Sequence, residues 1–113
     1  MYIELKNINK SFGDFKASDN VSFSLPAGSL SALLGPSGSG KTTILRILAG
    51  LETPDSGDIF IDNQRVNDID SAKRGIGFVF QNYALFRYMT VFDNIAFGMK
   101  IKKTPPEKIK QRV

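Results

Sequence analysis

Residues 35–42 read Gly-Pro-Ser-Gly-Ser-Gly-Lys-Thr, and no other stretch limits the fold as tightly. The octapeptide matches G-x-x-x-x-G-K-[ST] at every fixed position. Residues 29–34 before it become continuously apolar toward Leu34, the pattern of a strand buried on both faces of a sheet. After it, Ile44, Leu45, Ile47 and Leu48 recur at helical spacing, and Gly50 stands where a C-terminal cap glycine belongs. Strand, glycine loop and helix in that order are the setting a phosphate-binding loop needs. The expectation is an α/β fold, a P-loop core packed on the helix that starts near Lys41.

Each loop residue has a chemical reason to be there. Glycines at 35, 38 and 40 let the backbone adopt positive φ and bring its N–H groups to phosphate oxygens with no Cβ in the way. The loop, with Pro36, Ser37 and Ser39 between those glycines, opens onto a helix whose N-terminus adds partial positive charge at the same point. Lys41 is expected to reach the β- and γ-phosphates. The Thr42 hydroxyl would ligate Mg²⁺, and Thr43 with the backbone amides would hold the α- and β-phosphates. The competing reading makes Gly38 and Gly40 an ordinary turn and Lys41 a solvated charge. The loop by itself does not choose among kinases, GTPases and transport ATPases.

Elsewhere the apolar residues mostly alternate. Residues 2–8 place Ile3, Leu5 and Ile8 as a half-buried strand, and residues 11–14 supply a glycine turn. Val21, Phe23 and Leu25 return with period two, so the two strands should be antiparallel, with Pro26, Ala27 and Gly28 ending the second. Residues 54–57 read as a turn and residues 58–62 as a further strand, with Asn63 and Gln64 as a hairpin connection. Residues 75–80, GIGFVF, form a β-rich run leading to Gln81. Thr90, with Asp93 three residues on, predicts a capped helix whose apolar face carries Ile95 with Phe92 or Met99. Thr104, Pro105 and Glu107 supply a capping threonine, a proline at the first helical position and a glutamate at the third, so a last helix should start there and still be running at Val113.

Composition excludes more than it assigns. A chain of 113 residues has room for one small core. The net charge of +4 is dispersed, apart from Lys100, Lys102 and Lys103, so no nucleic-acid partner is expected. With neither cysteine nor histidine there is no disulfide frame and no thiolate or imidazole metal site. The apolar runs fall far short of the roughly twenty residues of a membrane helix, and the N-terminus lacks the apolar segment of a signal peptide. Any membrane contact is therefore expected through a partner.

Read together, LLGPSGSGKTTILRILAGLETPDSG, GFVFQNYALF and MTVFDNIAFG resemble the first half of an ABC transporter nucleotide-binding subunit, along nearly the whole chain. The resemblance implies an antiparallel β subdomain that holds the base, with Phe12 in KSFGDF stacked on adenine. Such stacking contributes about 1–3 kcal/mol. The plainer alternative packs Phe12 on its own hairpin. Gln81 stands as the family's Q-loop glutamine does, which implies contact with Mg²⁺ and the attacking water through an amide that both donates and accepts. For residues 82–91 the family implies a groove that receives an amphipathic coupling helix of the membrane subunit. Alternatively, Leu85, Phe86 and Met89 simply fill a core. Within the family, YALFRYMTVFDNIAFG is most similar to the sulfate/thiosulfate import ATPases and their molybdate, polyamine and sugar-importing relatives.

A complete family member continues with the LSGGQ signature, a second acidic motif ending in the catalytic glutamate, and a switch histidine. These 113 residues contain none of them. The chain is accordingly expected to be the N-terminal part of a single nucleotide-binding domain that binds ATP and Mg²⁺ with little or no turnover. The intact subunit would couple ATP hydrolysis to import of sulfate or thiosulfate. The resemblance implies a homodimer with a second ATP-binding subunit, two membrane-spanning permease subunits and, indirectly, a substrate-binding protein. It also implies a peripheral position on the cytoplasmic face of the inner membrane, or the stromal face for a plastid-encoded protein. Two rivals remain at this point: an ABC ATPase that acts without a membrane, and a non-catalytic nucleotide-binding fragment.

Overall fold

Two antiparallel strands, Ile3–Phe12 (β1) and Phe15–Leu25 (β2), open the chain, and Ser56–Ile61 (β3) and Gln64–Arg65 (β4) complete a four-stranded sheet of order β2-β1-β3-β4. The computed structural model describes residues 1–36, 38–82 and 84–113. They form two compact units, Met1–Phe78 and Val79–Val113.

The sheet departs from strict alternation where asparagine allows it. Leu5 pairs with Phe23 and Ile8 with Val21, so β1 carries one extra residue between the pairs, and Asn7 there has φ 53°. The next step, Lys10 with Ser18, places the extra residue on β2, where Asn20 has φ 50°. Bulges of this kind shift the phase of a strand by one residue. That shift is why Leu5 and Ile8, three positions apart, are both buried. They join Ile44, Ile47 and Leu48 of helix Lys41–Ala49 (α1) and Ile59, Ile61 and Val66 in one apolar cluster. At about 1.5–3 kcal/mol per buried aliphatic side chain, this cluster holds α1 on the sheet.

The hairpin between β3 and β4 turns at Asp62 and Asn63, with φ 50° and 65°, and pairs Ile61 with Gln64. The connection therefore lies one residue earlier than the expected Asn63-Gln64. Two left-handed residues in succession make the tight turn whose twist suits the strands, and Asp and Asn tolerate that conformation better than Gln.

Two expected strands are corrected. Residues 29–34 and 75–80 join no strand of the described sheet. Leu30 and Leu34 are almost wholly exposed. Apolar runs indicate surface that can be buried, whereas a strand exists only where a neighbour accepts its backbone hydrogen bonds.

In the second unit, Thr90 caps helix Val91–Ile101 (α2), its hydroxyl accepting from the Asp93 N–H at 3.0 Å. The buried face of α2 is not the expected one. Ala96 is fully buried, whereas Ile95 and Phe92 are exposed and Met99 is half-buried. Phe86 fills the space beside the helix instead, its ring 4.5 Å from that of Phe97. The last helix, Pro106–Arg112 (α3), has Pro105 at its N-cap and Pro106 at its first position, one residue later than expected. A proline at either position lacks an N–H the helix could use, so the sequence alone left that shift open.

Candidate phosphate-binding site

Gly40 is where the loop, the helix and the sheet meet. It has φ 90°, and a Cβ added there would lie 2.1 Å from the Ala17 carbonyl oxygen of β2. Only glycine lets the loop turn against that strand. Gly38 also has positive φ, and the Ser39 N–H closes a turn on the Pro36 carbonyl at 3.2 Å. Ser37 lies outside the described residues.

From this turn α1 starts without a cap. No side chain among the described residues accepts from its first N–H groups, and its first turn holds no acidic residue. The first helical hydrogen bond runs from the Ile44 N–H to the Gly40 carbonyl, at 3.1 Å. Amides ahead of that bond have no helical acceptor and are free for an anion. The Lys41 ammonium folds over the loop, donating to the carbonyls of Gly35 and Pro36, the latter at 3.1 Å. Glycine backbone, an uncapped helix start and an ammonium thus lie within one short stretch of chain, a combination that suits a polyphosphate. Thr42 is exposed and Thr43 half-buried on the first turn of α1. Among described residues no cluster of His, Cys, Asp or Glu offers a metal cage. A cation here would rely on hydroxyl and amide oxygens together with the phosphates, the usual manner of Mg²⁺.

Phe12 closes the hairpin opposite Phe15 and is 46% exposed, so part of its ring is open to a planar ligand. The hairpin that carries Phe12 also presses the Ala17 carbonyl on Gly40, so unit Met1–Phe78 brings Phe12 and the loop residues onto one framework. Gln81 is an exposed turn residue of the other unit. Of the apolar stretch at 82–91, Tyr83 lies outside the described residues. Leu85, Tyr88 and Val91 are exposed, while Phe86 and Met89 are half-buried.

Three side chains that support these elements escaped the sequence reading. The Arg74 guanidinium is buried and donates to the carbonyls of Ile47 (3.0 Å) and Leu48 (3.1 Å) at the end of α1, and to those of Ile69 (2.8 Å) and Asn67 (3.4 Å). Burial pushes its pKa below the ordinary value, yet arginine stays charged and opposes the negative end of the helix dipole. Asn94 ties residues 86–90 to α2: it accepts from the Phe86 N–H at 2.8 Å and donates to the carbonyls of Phe86, Met89 and Thr90. Its place four residues after the capping Thr90 was the one available signal, because asparagine early in a helix competes for backbone groups. The third is Lys10, whose partners Glu52 and Asp55 lie more than forty positions away in sequence.

A family model described as ABC transporter matches residues 18–113. The chain is 55% identical over 113 residues to the sulfate/thiosulfate import ATP-binding protein CysA of Synechocystis sp., covering 100% of this chain and 32% of that protein. With the protein of the same name from Pectobacterium atrosepticum it shares 61% over 102 residues, 90% of this chain and 31% of the relative. Among solved structures it is similar to the dimeric structure of MJ0796, a bacterial ABC transporter cassette, with a TM-score of 0.87 and 34% identity over 97% of this chain and 53% of that one. A post-hydrolysis state of the same cassette, bound to ADP and Pi, matches with a TM-score of 0.85 and 33% identity, again over 97% and 53%. The chain spans about a third of the length of the curated relatives it matches.

Proposed function

We propose, from the premise that this chain belongs to the ABC transporter family, that residues 1–113 are the N-terminal part of one nucleotide-binding domain and bind ATP to power import. The observation that carries this reading is the Lys41 ammonium held over the Gly35 and Pro36 carbonyls beside the uncapped start of α1. In the proposal Lys41 leaves those carbonyls for the β- and γ-phosphates, while the amides of residues 38–43 take the oxygens they face. Thr42 and Gln81 are assigned to hold Mg²⁺, which when bound neutralises charge between the terminal phosphates. Phe12 is assigned to stack on the base.

The substrate is proposed to be sulfate or thiosulfate, which rests on the name shared by relatives 55% and 61% identical over 100% and 90% of this chain. The proposed partners follow the same family logic: a second copy of the ATP-binding subunit and two membrane-spanning permease subunits. The exposed Leu85, Tyr88 and Val91 support a docking role for residues 82–91. No helix among the described residues is long and apolar enough to cross a membrane, so peripheral attachment through the permeases is part of the proposal.

The test is an amide titration with Mg-ATP. Gly38, Ser39, Gly40, Lys41, Thr42 and Thr43 should shift together, and Lys41→Ala should abolish the response. Resonances that stay still in a folded sample would refute the reading. For the substrate, the intact subunit reconstituted with its permeases should drive sulfate into vesicles only with ATP. ATP-dependent uptake of another solute, with none of sulfate or thiosulfate, would overturn that part.

A further inference from the structure

The side chain of Lys10 is 14% exposed although it ends in an ammonium, because three groups surround it. Glu52 Oε1 lies 3.2 Å from Nζ and Asp55 Oδ1 3.5 Å, and the ammonium stands 5.2 Å from the centroid of the Phe12 ring. Lys10 and Phe12 are two residues apart on β1. The carboxylates come from the loop after α1, and that loop is fastened to the same strand end by backbone bonds. The Asp55 N–H donates to the Asn9 carbonyl and the Ser11 N–H to Asp55 Oδ2, both at 2.8 Å. Glu52 is fixed in turn by the end of the helix, where its N–H and that of Leu51 reach the Arg46 carbonyl. Burial lowers the pKa of Lys10, but hydrogen bonding to Glu52 and the charge of Asp55 outweigh it and hold the group above the ordinary lysine value. The ammonium is therefore a permanent fixture.

We infer that Lys10 is a positioning residue for nucleotide recognition: clamped by Glu52 and Asp55, it holds the Phe12 ring as the platform for the base. The inference deepens the proposed ATP-binding role and rests on it. A cation against one part of an aromatic ring attracts its π-electrons and restrains its rotation, which leaves the exposed part for a stacking partner. The clamp also couples the two halves of the site. α1 begins at the phosphate loop and ends at Ala49, and Glu52, three residues on, is bonded back to it through the Arg46 carbonyl, so the helix links the phosphate cradle to a carboxylate that clamps Lys10.

The claim separates base from phosphate, and so does its test. On the full chain, affinities for Mg-ATP and for magnesium tripolyphosphate, which has no base, are measured by calorimetry. Lys10→Met should weaken Mg-ATP about three- to tenfold more than it weakens tripolyphosphate. Phe12→Ala should remove that difference, so that adding Lys10→Met to Phe12→Ala costs both ligands equally. Lys10→Arg keeps the charge and should retain most of the preference for ATP, which also answers any concern that Lys10→Met fails to fold. Equal losses for both ligands in Lys10→Met, or an undiminished ATP-selective loss in the Phe12→Ala background, would overturn the inference and leave the ATP reading intact. Should the unsubstituted chain bind neither ligand, the ATP reading itself falls, and this one with it.

Discussion

Gly40→Ala puts the phosphate loop to its most direct test. An alanine Cβ would stand 2.1 Å from the Ala17 carbonyl oxygen and 3.2 Å from its carbon, and the residue would keep φ 90°. Placing an L-residue in the left-handed region costs about 1–2 kcal/mol. Relieving the contact requires the loop or β2 to move by about 1 Å, because both sides are backbone and no rotamer change helps; overpacking of this kind costs about 1–3 kcal/mol. The sum, about 2–5 kcal/mol, must be divided between folding and nucleotide affinity. At about 1.4 kcal/mol per decade it amounts to a thirtyfold to several-thousandfold loss in the two constants combined. Urea denaturation and calorimetry with Mg-ATP on one preparation measure both parts. Two sister substitutions calibrate the result. Gly35→Ala is crowded by the Ser39 hydroxyl at 2.7 Å, the end of a rotatable side chain, with Ser39 Cβ and Lys41 Cδ at ordinary contact distance, and should cost less than about 1 kcal/mol. Gly38→Ala meets open space at φ 80° and should cost only the backbone share, about 1–2 kcal/mol. If Gly40→Ala is as mild as Gly35→Ala in both measurements, the reasoning that ties the loop to β2 is wrong.

Other outcomes follow from the supporting residues. Arg74→Met should lower stability in urea by about 3 kcal/mol, because it takes the guanidinium from the Leu48 and Ile69 carbonyls, the Ile47 carbonyl keeping the Gly50 N–H; a loss below about 1 kcal/mol would mean that water replaces the guanidinium freely. Ser18→Ala should be neutral or stabilising by up to about 1 kcal/mol, since the Ser18 hydroxyl is buried with no hydrogen-bond partner among the described residues; clear destabilisation would reveal a partner for it. Hydrogen bonding to Lys100, then to Thr90, holds the Asp93 carboxyl below the ordinary aspartate value. Its contribution to stability is therefore complete above about pH 4 and is lost as pH falls through the depressed native pKa. A carboxyl ¹³C titration should give a midpoint that rises in Lys100→Met, and an unmoved midpoint would refute the pairing.

The local elements were legible wherever the residue type itself decides the backbone. Thr90 caps α2, Gly50 ends α1, and Val21, Phe23 and Leu25 return as a strand, because capping oxygens, glycine's positive φ and period-two alternation act within a few residues. The turn at Gly38 and Gly40 and the helix behind it were legible for the same reason, from the glycines of an eight-residue motif and the apolar spacing that follows. Where local rules allowed two neighbouring solutions, the reading slipped by one residue, as at Asp62-Asn63 and at Pro106.

Tertiary structure decided everything that needs a partner distant in sequence. Residues 29–34 and 75–80 are apolar enough for strands, yet a ladder needs a neighbour's carbonyls and amides, and hydrophobicity does not name the neighbour. Leu5 and Ile8 share the core only because a bulge at Asn7 shifts the phase of β1. Lys10 beneath Phe12 and Arg74 across the end of α1 have no local signature, since a charge states its sign in the sequence but not whom it will meet. Thus the sequence by itself determined that a glycine-rich G-x-x-x-x-G-K-[ST] loop opens onto a helix, through short-range stereochemistry. The fold alone determined which strand presses on that loop and which cation steadies the exposed ring, because those contacts join residues that only packing brings together.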